Sequence, residues 1–238
     1  MYGRAITALL LSSIVAGPLC ADWTAVTLHP ADAWESWAMA ASGPYQAGRV
    51  YDPTQVNNLN PAVWRETALP YTRIGGPTGG ISGMSGFDKV GTSDGRFAAL
   101  WRGAANTLID LHPVGAYSSS AVAVWSDTQV GYASWSAADP AESGYRAGLW
   151  HGSSESWTSL HPAGASDSAL LAIDSTGQAG RLRSSQSSPY HAALWHGTAE
   201  SVVDMHPAAA YASQAQAISN GRQGGYVQFV RDGPSHAA

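Results

Sequence analysis

Tyr190–Val227, YHAALWHGTAESVVDMHPAAAYASQAQAISNGRQGGYV, decides the fold, because the chain repeats its pattern. The phrase Leu-Trp-x-Gly occurs at Leu100–Gly103, Leu149–Gly152 and Leu194–Gly197. Eleven residues after each Trp comes His-Pro, at His112-Pro113, His161-Pro162 and His206-Pro207. A turn followed by Gln/Lys-x-Gly occurs five times, ending at Gly48, Gly91, Gly131, Gly180 and Gly225, with steps of 40 to 49 residues. A period of that size marks a solenoid or radial array, in which a unit buries its apolar face only against its neighbours.

Each full unit holds four short runs of alternating apolar residues. In the fourth unit they are Ser168–Ile173, Gln178–Leu182, His191–Trp195 and Glu200–Met205, bounded by Gly, Ser, Asp, Asn and Pro. Asp174-Ser175-Thr176-Gly177 and Ser219-Asn220-Gly221-Arg222 suit tight turns between the first and second runs. Four short antiparallel strands per unit predict an all-β chain, a five-bladed β-propeller of four-stranded blades. The Ser168-type run is then innermost and the Glu200-type run outermost, with His-Pro opening the crossover.

On this reading the blades are Ala33–Pro70, Ile81–His112, Ser119–His161, Ala169–His206 and Ser213–Ala238, the last completed by Trp23–His29 as its outer strand. Leu28-His29-Pro30 aligns with Leu111-His112-Pro113, and Ser235-His236-Ala237-Ala238 aligns with Tyr190–Ala193. Trp23–His29 is therefore expected to pair antiparallel beside the strand starting near Ser235. Such closure removes the free sheet edges of an open array. Ile74–Gly80 lacks His-Pro and reads as a diverged crossover.

Composition agrees with one globular domain. The chain has 238 residues, 12% charged residues, ten Trp and ten Tyr, which is too aromatic for disorder and too rich in Gly for a helical bundle. Net charge is −5, with eleven Arg, the single Lys89 and no basic run, so a nucleic-acid partner is disfavoured. Met1–Ala21 reads as a secretory signal: Arg4, an apolar run Ala5–Val15, then a break at Gly17-Pro18 and a small end at Cys20-Ala21. The apolar run is too short to span a bilayer. Gly17-Pro18-Leu19 does not resemble a lipobox. Residues 22–238 are then one exported domain, secreted or periplasmic, monomeric, without a membrane span and without cysteine.

These phrases resemble the bacterial extracellular repeat family named for its His-Ala-Phe signature. The matching residues are His191-Ala192-Ala193-Leu194-Trp195, Asp204-Met205 and Ala217–Gly225, with Phe97–Trp101 and Asp127–Gly131 in other units. Ala193 stands where the signature has its aromatic residue. The resemblance covers nearly all of the chain after the signal. It implies export and a propeller, and it carries no catalytic residues.

Four His-Pro histidines, His29, His112, His161 and His206, could gather a metal if they met at an axis. A residue repeated in every unit more often fixes geometry, here by holding the crossover where Pro ends the strand. The Trp of Leu-Trp-x-Gly is expected in the core. Aromatic residues that do not repeat, Trp34, Trp37, Trp125, Trp135 and Trp157, are better placed for binding. Trp135 precedes the loop Ser136–Gly144 with Asp139 and Glu142, and Asp52 lies in the insertion Tyr51–Pro61. Both loops would emerge on the crossover face, where a shallow sugar or peptide site is expected.

No Gly-x-Ser-x-Gly, His-Glu-x-x-His, phosphate loop or paired Cys motif occurs, and no acid sits at matching inner-strand positions. The expectation is an exported binding module without catalytic residues or cofactor, recognising carbohydrate or another surface component. The alternatives are a glycan-processing enzyme and a structural surface repeat without a small ligand.

Overall fold

The computed structural model describes residues 25–54, 59–75, 78–135 and 144–238. They form five antiparallel sheets, each made of strands consecutive in the chain. The first holds β1 (Glu35–Ser42), β2 (Tyr45–Tyr51), β3 (Leu59–Arg65) and β4 (Thr67–Arg73), and the second β5 (Gly80–Ser85), β6 (Asp88–Ser93), β7 (Phe97–Arg102) and β8 (Thr107–Asp110). The third holds β9 (Ser118–Trp125), β10 (Thr128–Ser134), β11 (Arg146–Trp150) and β12 (Thr158–Ser159). The fourth holds β13 (Asp167–Asp174), β14 (Gly177–Arg183), β15 (His191–Trp195) and β16 (Val203–Asp204), and the last only β17 (Ala212–Ser219), β18 (Arg222–Gln228) and β19 (Ser235–Ala237). No α-helix occurs among the described residues.

The five repeated glycines have one cause. In every sheet the first strand carries a bulge opposite the Gly of the second: Ala38–Ala40, Ile81–Gly83, Ala121–Ala123, Leu170–Ala172 and Ala215–Ala217. There the two backbones approach closely. A Cβ on Gly48, Gly91, Gly131, Gly180 or Gly225 would stand 1.8–2.0 Å from a first-strand carbonyl oxygen. Only Gly fits such a gap. The Gln two residues earlier closes the other end of its unit: Gln129 and Gln178 accept the backbone N–H of Gly152 and Gly197 at 2.8 and 2.9 Å. The turn phrase and the Leu-Trp-x-Gly phrase are thus two halves of one contact. In the first sheet Gln46 does the same for Glu66, which takes the left-handed place of those glycines at φ 62°.

The core lies between sheets. Val90, Leu100 and Leu111 of the second unit pack with Ala121, Val124 and Trp150 of the third, and Val130, Leu149 and Leu160 pack with Leu170, Ala193 and Trp195. Ala47 and Ile74 meet Ile81, Ala99 and Trp101, and Ala179 meets Ala215. The first strands pack in the order β1, β5, β9, β13, β17. Trp64, Trp101, Trp150 and Trp195 are all buried. Trp195 also donates from Nε1 to the Leu160 carbonyl of the preceding crossover at 3.0 Å, and Trp101 donates to that of Gly75 at 2.9 Å.

Two details differ from the sequence reading. The fourth run of the fourth unit begins as a single 3-10 turn, Ala199–Ser201, and only Val203–Asp204 pairs as strand. The reason is Ser201, whose Oγ accepts the N–H of His196 and donates to the Thr198 carbonyl, folding the chain into a turn. The terminal pairing is not among the ladders. Ala25–His29 forms no strand, β19 pairs only with β18, and Trp23 lies outside the described residues. β19 offers three exposed residues where β15 offers five with Leu194 and Trp195, so it has little with which to hold a fourth strand. Leu28 instead sits against Val50, Ala62 and Trp64 of the first sheet, in the role that Leu111 and Leu160 have at later junctions.

Truncating a Trp at such a junction removes contacts from two sheets at once. Trp195→Ala is expected to cost about 3–5 kcal/mol in denaturant melts, as for large core aromatics. A loss below about 1 kcal/mol would place this side chain outside the core.

Candidate functional site

The His-Pro histidines are spread over the junctions rather than gathered. His112, His161 and His206 place Nδ1 2.8, 2.7 and 2.7 Å from the Oγ of Ser119, Ser168 and Ser213, seven residues on. Their Nε2 atoms lie 2.9, 3.0 and 3.1 Å from the carbonyls of Ala116, Ala165 and Ala210. The same serines accept the backbone N–H of Ala98, Ala147 and Ala192 from the third strand of the preceding sheet, at 2.8–2.9 Å. A carbonyl only accepts, so a neutral ring carries its proton on Nε2, and Nδ1 then accepts the serine hydroxyl. Both ring nitrogens are used, with no lone pair left for a metal. Among the described residues no group of three or more His, Cys, Asp or Glu side chains is arranged to hold an ion. His29 makes the first of these bonds, 3.0 Å to Ser36, also seven residues on.

Two expected binding residues, Asp139 and Glu142, lie outside the described residues. Trp135 is half-buried in an aromatic group: its ring is 5.9 Å from Trp157, which is 4.6 Å from Trp150, and the Arg146 guanidinium lies 5.5 Å over it. Trp157 packs against Gly148, where a Cβ would meet the indole at 2.3 Å. Trp37 carries the Arg49 guanidinium 4.5 Å over its ring.

The first unit brings two expected residues together. Trp34 is 69% exposed and meets Tyr51 edge-on, with ring centroids 6.2 Å apart at 89°. Its backbone N–H donates to the Tyr51 carbonyl at 3.1 Å, which ties the chain entering β1 to the end of β2. Trp34, Glu35 and Tyr51 line an open hollow of about 240 Å³. The next residue, Asp52, opens a second and larger one of about 530 Å³, lined with Asp32, Thr54, Tyr71 and Arg73.

Asp52 is a buried structural anion. Its Oδ2 takes a 2.7 Å bond from the Arg73 guanidinium at the end of β4, and Oδ1 takes the Thr54 hydroxyl and N–H at 2.6 and 2.9 Å. The hydroxyl of Thr54 and the Arg73 guanidinium together hold its pKa down at about 2. Arg73 also donates to the Tyr71 hydroxyl at 3.0 and 3.2 Å, and Tyr71 stacks on buried Trp64. A carboxyl held ionised in this way cannot serve as a general acid, though its neighbours can still direct hydrogen bonds. Tyr51, Tyr71 and Arg73 carry no sequence signal, since the Asp52–Arg73 pair spans 21 residues and recurs in no other unit. The His–Ser relay did leave one, a His and a Ser seven residues apart at four places.

Comparison of the chain with protein-family models, with curated proteins and with solved structures finds no match.

The Asp52 pair makes a pH prediction. Its folded pKa of about 2 lies below the ordinary 3.8, so its stabilisation is complete above the ordinary value and is lost as pH falls toward about 2. In acid melts the Tm of Asp52→Asn is expected to fall less steeply than wild type across that window. Identical acid profiles would show that the pair contributes nothing.

Proposed function

We propose that the chain is an exported carbohydrate-binding module without catalytic residues, its five sheets being the blades of a propeller of the His-Ala-Phe repeat class. One observation carries the binding reading: Trp34, the most exposed aromatic side chain among the described residues, lines an open hollow with Tyr51 and Glu35. An indole face left in water while four other Trp are buried is suited to stacking on the C–H face of a sugar ring. The Glu35 carboxylate in the same hollow is suited to its hydroxyls. The glycan-processing alternative has less behind it, since Asp52 is already engaged as an anion by Arg73 and Thr54. Export rests on the Arg4, Ala5–Val15 and Ala21 pattern of the leader.

The propeller reading rests on the equivalence of the junctions. Between the inner sheets a serine joins the histidine of the crossover to an amide of the preceding third strand. Ser36 has its histidine, His29, and accepts no amide among the described residues. The amide at the equivalent position is that of Ala237, which aligns with Ala192. Ring closure would join these two. A double Ser36→Cys/Ala237→Cys variant of the mature chain is expected to form an intrachain disulfide on mild oxidation, read as a faster non-reducing band. An oxidised sample with two free thiols per monomer would set aside the five-blade ring.

Function is tested on a glycan array with the chain from Asp22 onward. Binding is expected, and Trp34→Ala should weaken it at least tenfold, about 1.4 kcal/mol, without lowering Tm. Absence of binding to any glycan, or undiminished binding by Trp34→Ala, would sink the sugar reading at this cleft.

A further inference from the structure

The junction between the first and second sheets differs from its counterpart between the fourth and last. At the later one Arg181, which follows Gly180 in β14, reaches across to the next first strand, and its Nη1 donates to Gln214 Oε1 at 2.8 Å. Arg49 holds the same position in β2: Gly48 pairs with Ala38 as Gly180 pairs with Leu170, each ahead of the bulge. The residue matching Gln214 is Gly80, since Ile81 pairs with Gly91 as Ala215 pairs with Gly225. The acceptor is therefore missing. Arg49 makes no hydrogen bond among the described residues; its Nε is shut off from solvent without a partner, as is that of Arg181, so what separates the two is the Nη1 bond to Gln214. In the space stands a cavity of about 140 Å³, lined by Arg49, Met39, Leu59, Gly79, Gly80 and Ile81.

This junction also lacks the His–Ser relay, because Gly79 occupies the place of Ser119, Ser168 and Ser213. Two successive glycines thus clear one gap of the side chains that fill the others. What remains is a guanidinium stacked at 4.5 Å on Trp37, its stem 3.3–3.8 Å from the point where a Gly80 Cβ would stand. A guanidinium that has no protein acceptor takes one from whatever enters the cavity beside it. A carboxylate matches the fork of a guanidinium and neutralises its charge. The other walls are mixed, Met39, Leu59 and Ile81 beside Thr78, Ser82 and Thr92, and suit a few carbons that carry hydroxyls.

We propose that this cavity is a binding site for a small organic carboxylate, held by Arg49 in the place that Gln214 holds against Arg181. The site lies between the first strands of the first two sheets and does not depend on the Trp34 cleft.

The molecule supplies its own control. Gly80→Gln restores the side chain that the later junction has. The nearest contacts of a new Cβ are to the Arg49 stem at 3.3–3.8 Å, so that side chain needs to give by only a few tenths of an ångström. Titration of the mature chain with glucuronate and acetate, followed by calorimetry and by Tm, is expected to show saturable binding of at least one, with glucose as the neutral control giving none at this site. Gly80→Gln should abolish carboxylate binding while leaving Tm equal to or above wild type, and Arg49→Gln should weaken it at least tenfold. Trp34→Ala should leave it unchanged, which separates this site from the sugar cleft. No saturable binding of either carboxylate to the wild type, or carboxylate binding that survives Gly80→Gln, overturns the proposal.

Discussion

Among the described residues the apolar side chains of the sheets are buried mostly against the next sheet. The cluster of Val50, Ala62, Trp64 and Tyr71 in the first sheet is covered instead by Leu28 and Ala33. The strands are short, and the outer strands of the third and fourth sheets have only two residues each. What makes the array stable is the layer between consecutive sheets, where four of the five apolar clusters draw residues from two units. A buried Trp removes about 150–250 Å² from water, or about 4–6 kcal/mol at 25 cal per Å² before any entropy is charged. Four such residues, Trp64, Trp101, Trp150 and Trp195, mark four of the five units. Stability therefore resides in junctions, and a unit taken alone would have none.

The His–Ser–amide relay sits on top of that layer and has a different effect. A hydrogen bond contributes only about 0.5–1.5 kcal/mol net, so three or four of them are minor beside the tryptophans. Their value is directional. Each relay joins a crossover, the first strand it enters and the third strand of the preceding sheet, and fixes how one sheet sits on the next. Apolar packing tolerates sliding, whereas a ring nitrogen facing a hydroxyl at 2.7 Å does not. An Asp two residues before the histidine, Asp110 or Asp204, then accepts the histidine's own N–H at 2.8 Å and turns the chain into the crossover.

Much of this was legible in the sequence because each repeated residue answers a repeated physical demand. The glycines mark backbone contact, the tryptophans mark junctions, and Pro ends strands. The first unit was harder to read. Val63-Trp64-Arg65-Glu66 is its Leu-Trp-x-Gly, disguised because Glu66 occupies a left-handed position that glycine takes elsewhere. The Asp52–Arg73 pair could not be seen, since it joins two places with no counterpart in other units. Asp52 looked like a free carboxylate in a loop and is a buried partner of an arginine. Trp135 and Trp157 looked like loop aromatics, yet they extend the packing around Trp150.

A repeat also shows where function is to be sought, by subtraction. The repeated polar positions of the relay have their hydrogen-bonding capacity consumed: both nitrogens of His161, the hydroxyl of Ser168, the amide oxygen of Gln178. Such groups cannot also meet a ligand without undoing a junction. Ligand chemistry must then come from positions where one unit departs from the rest, and these departures gather in the first unit and at its junction with the second. Arg181 donates from Nη1 to Gln214, while Arg49, at the same place, faces Gly80 and a cavity. One junction gives its guanidinium an internal acceptor and the other leaves that place empty, and this is the asymmetry on which the carboxylate proposal turns.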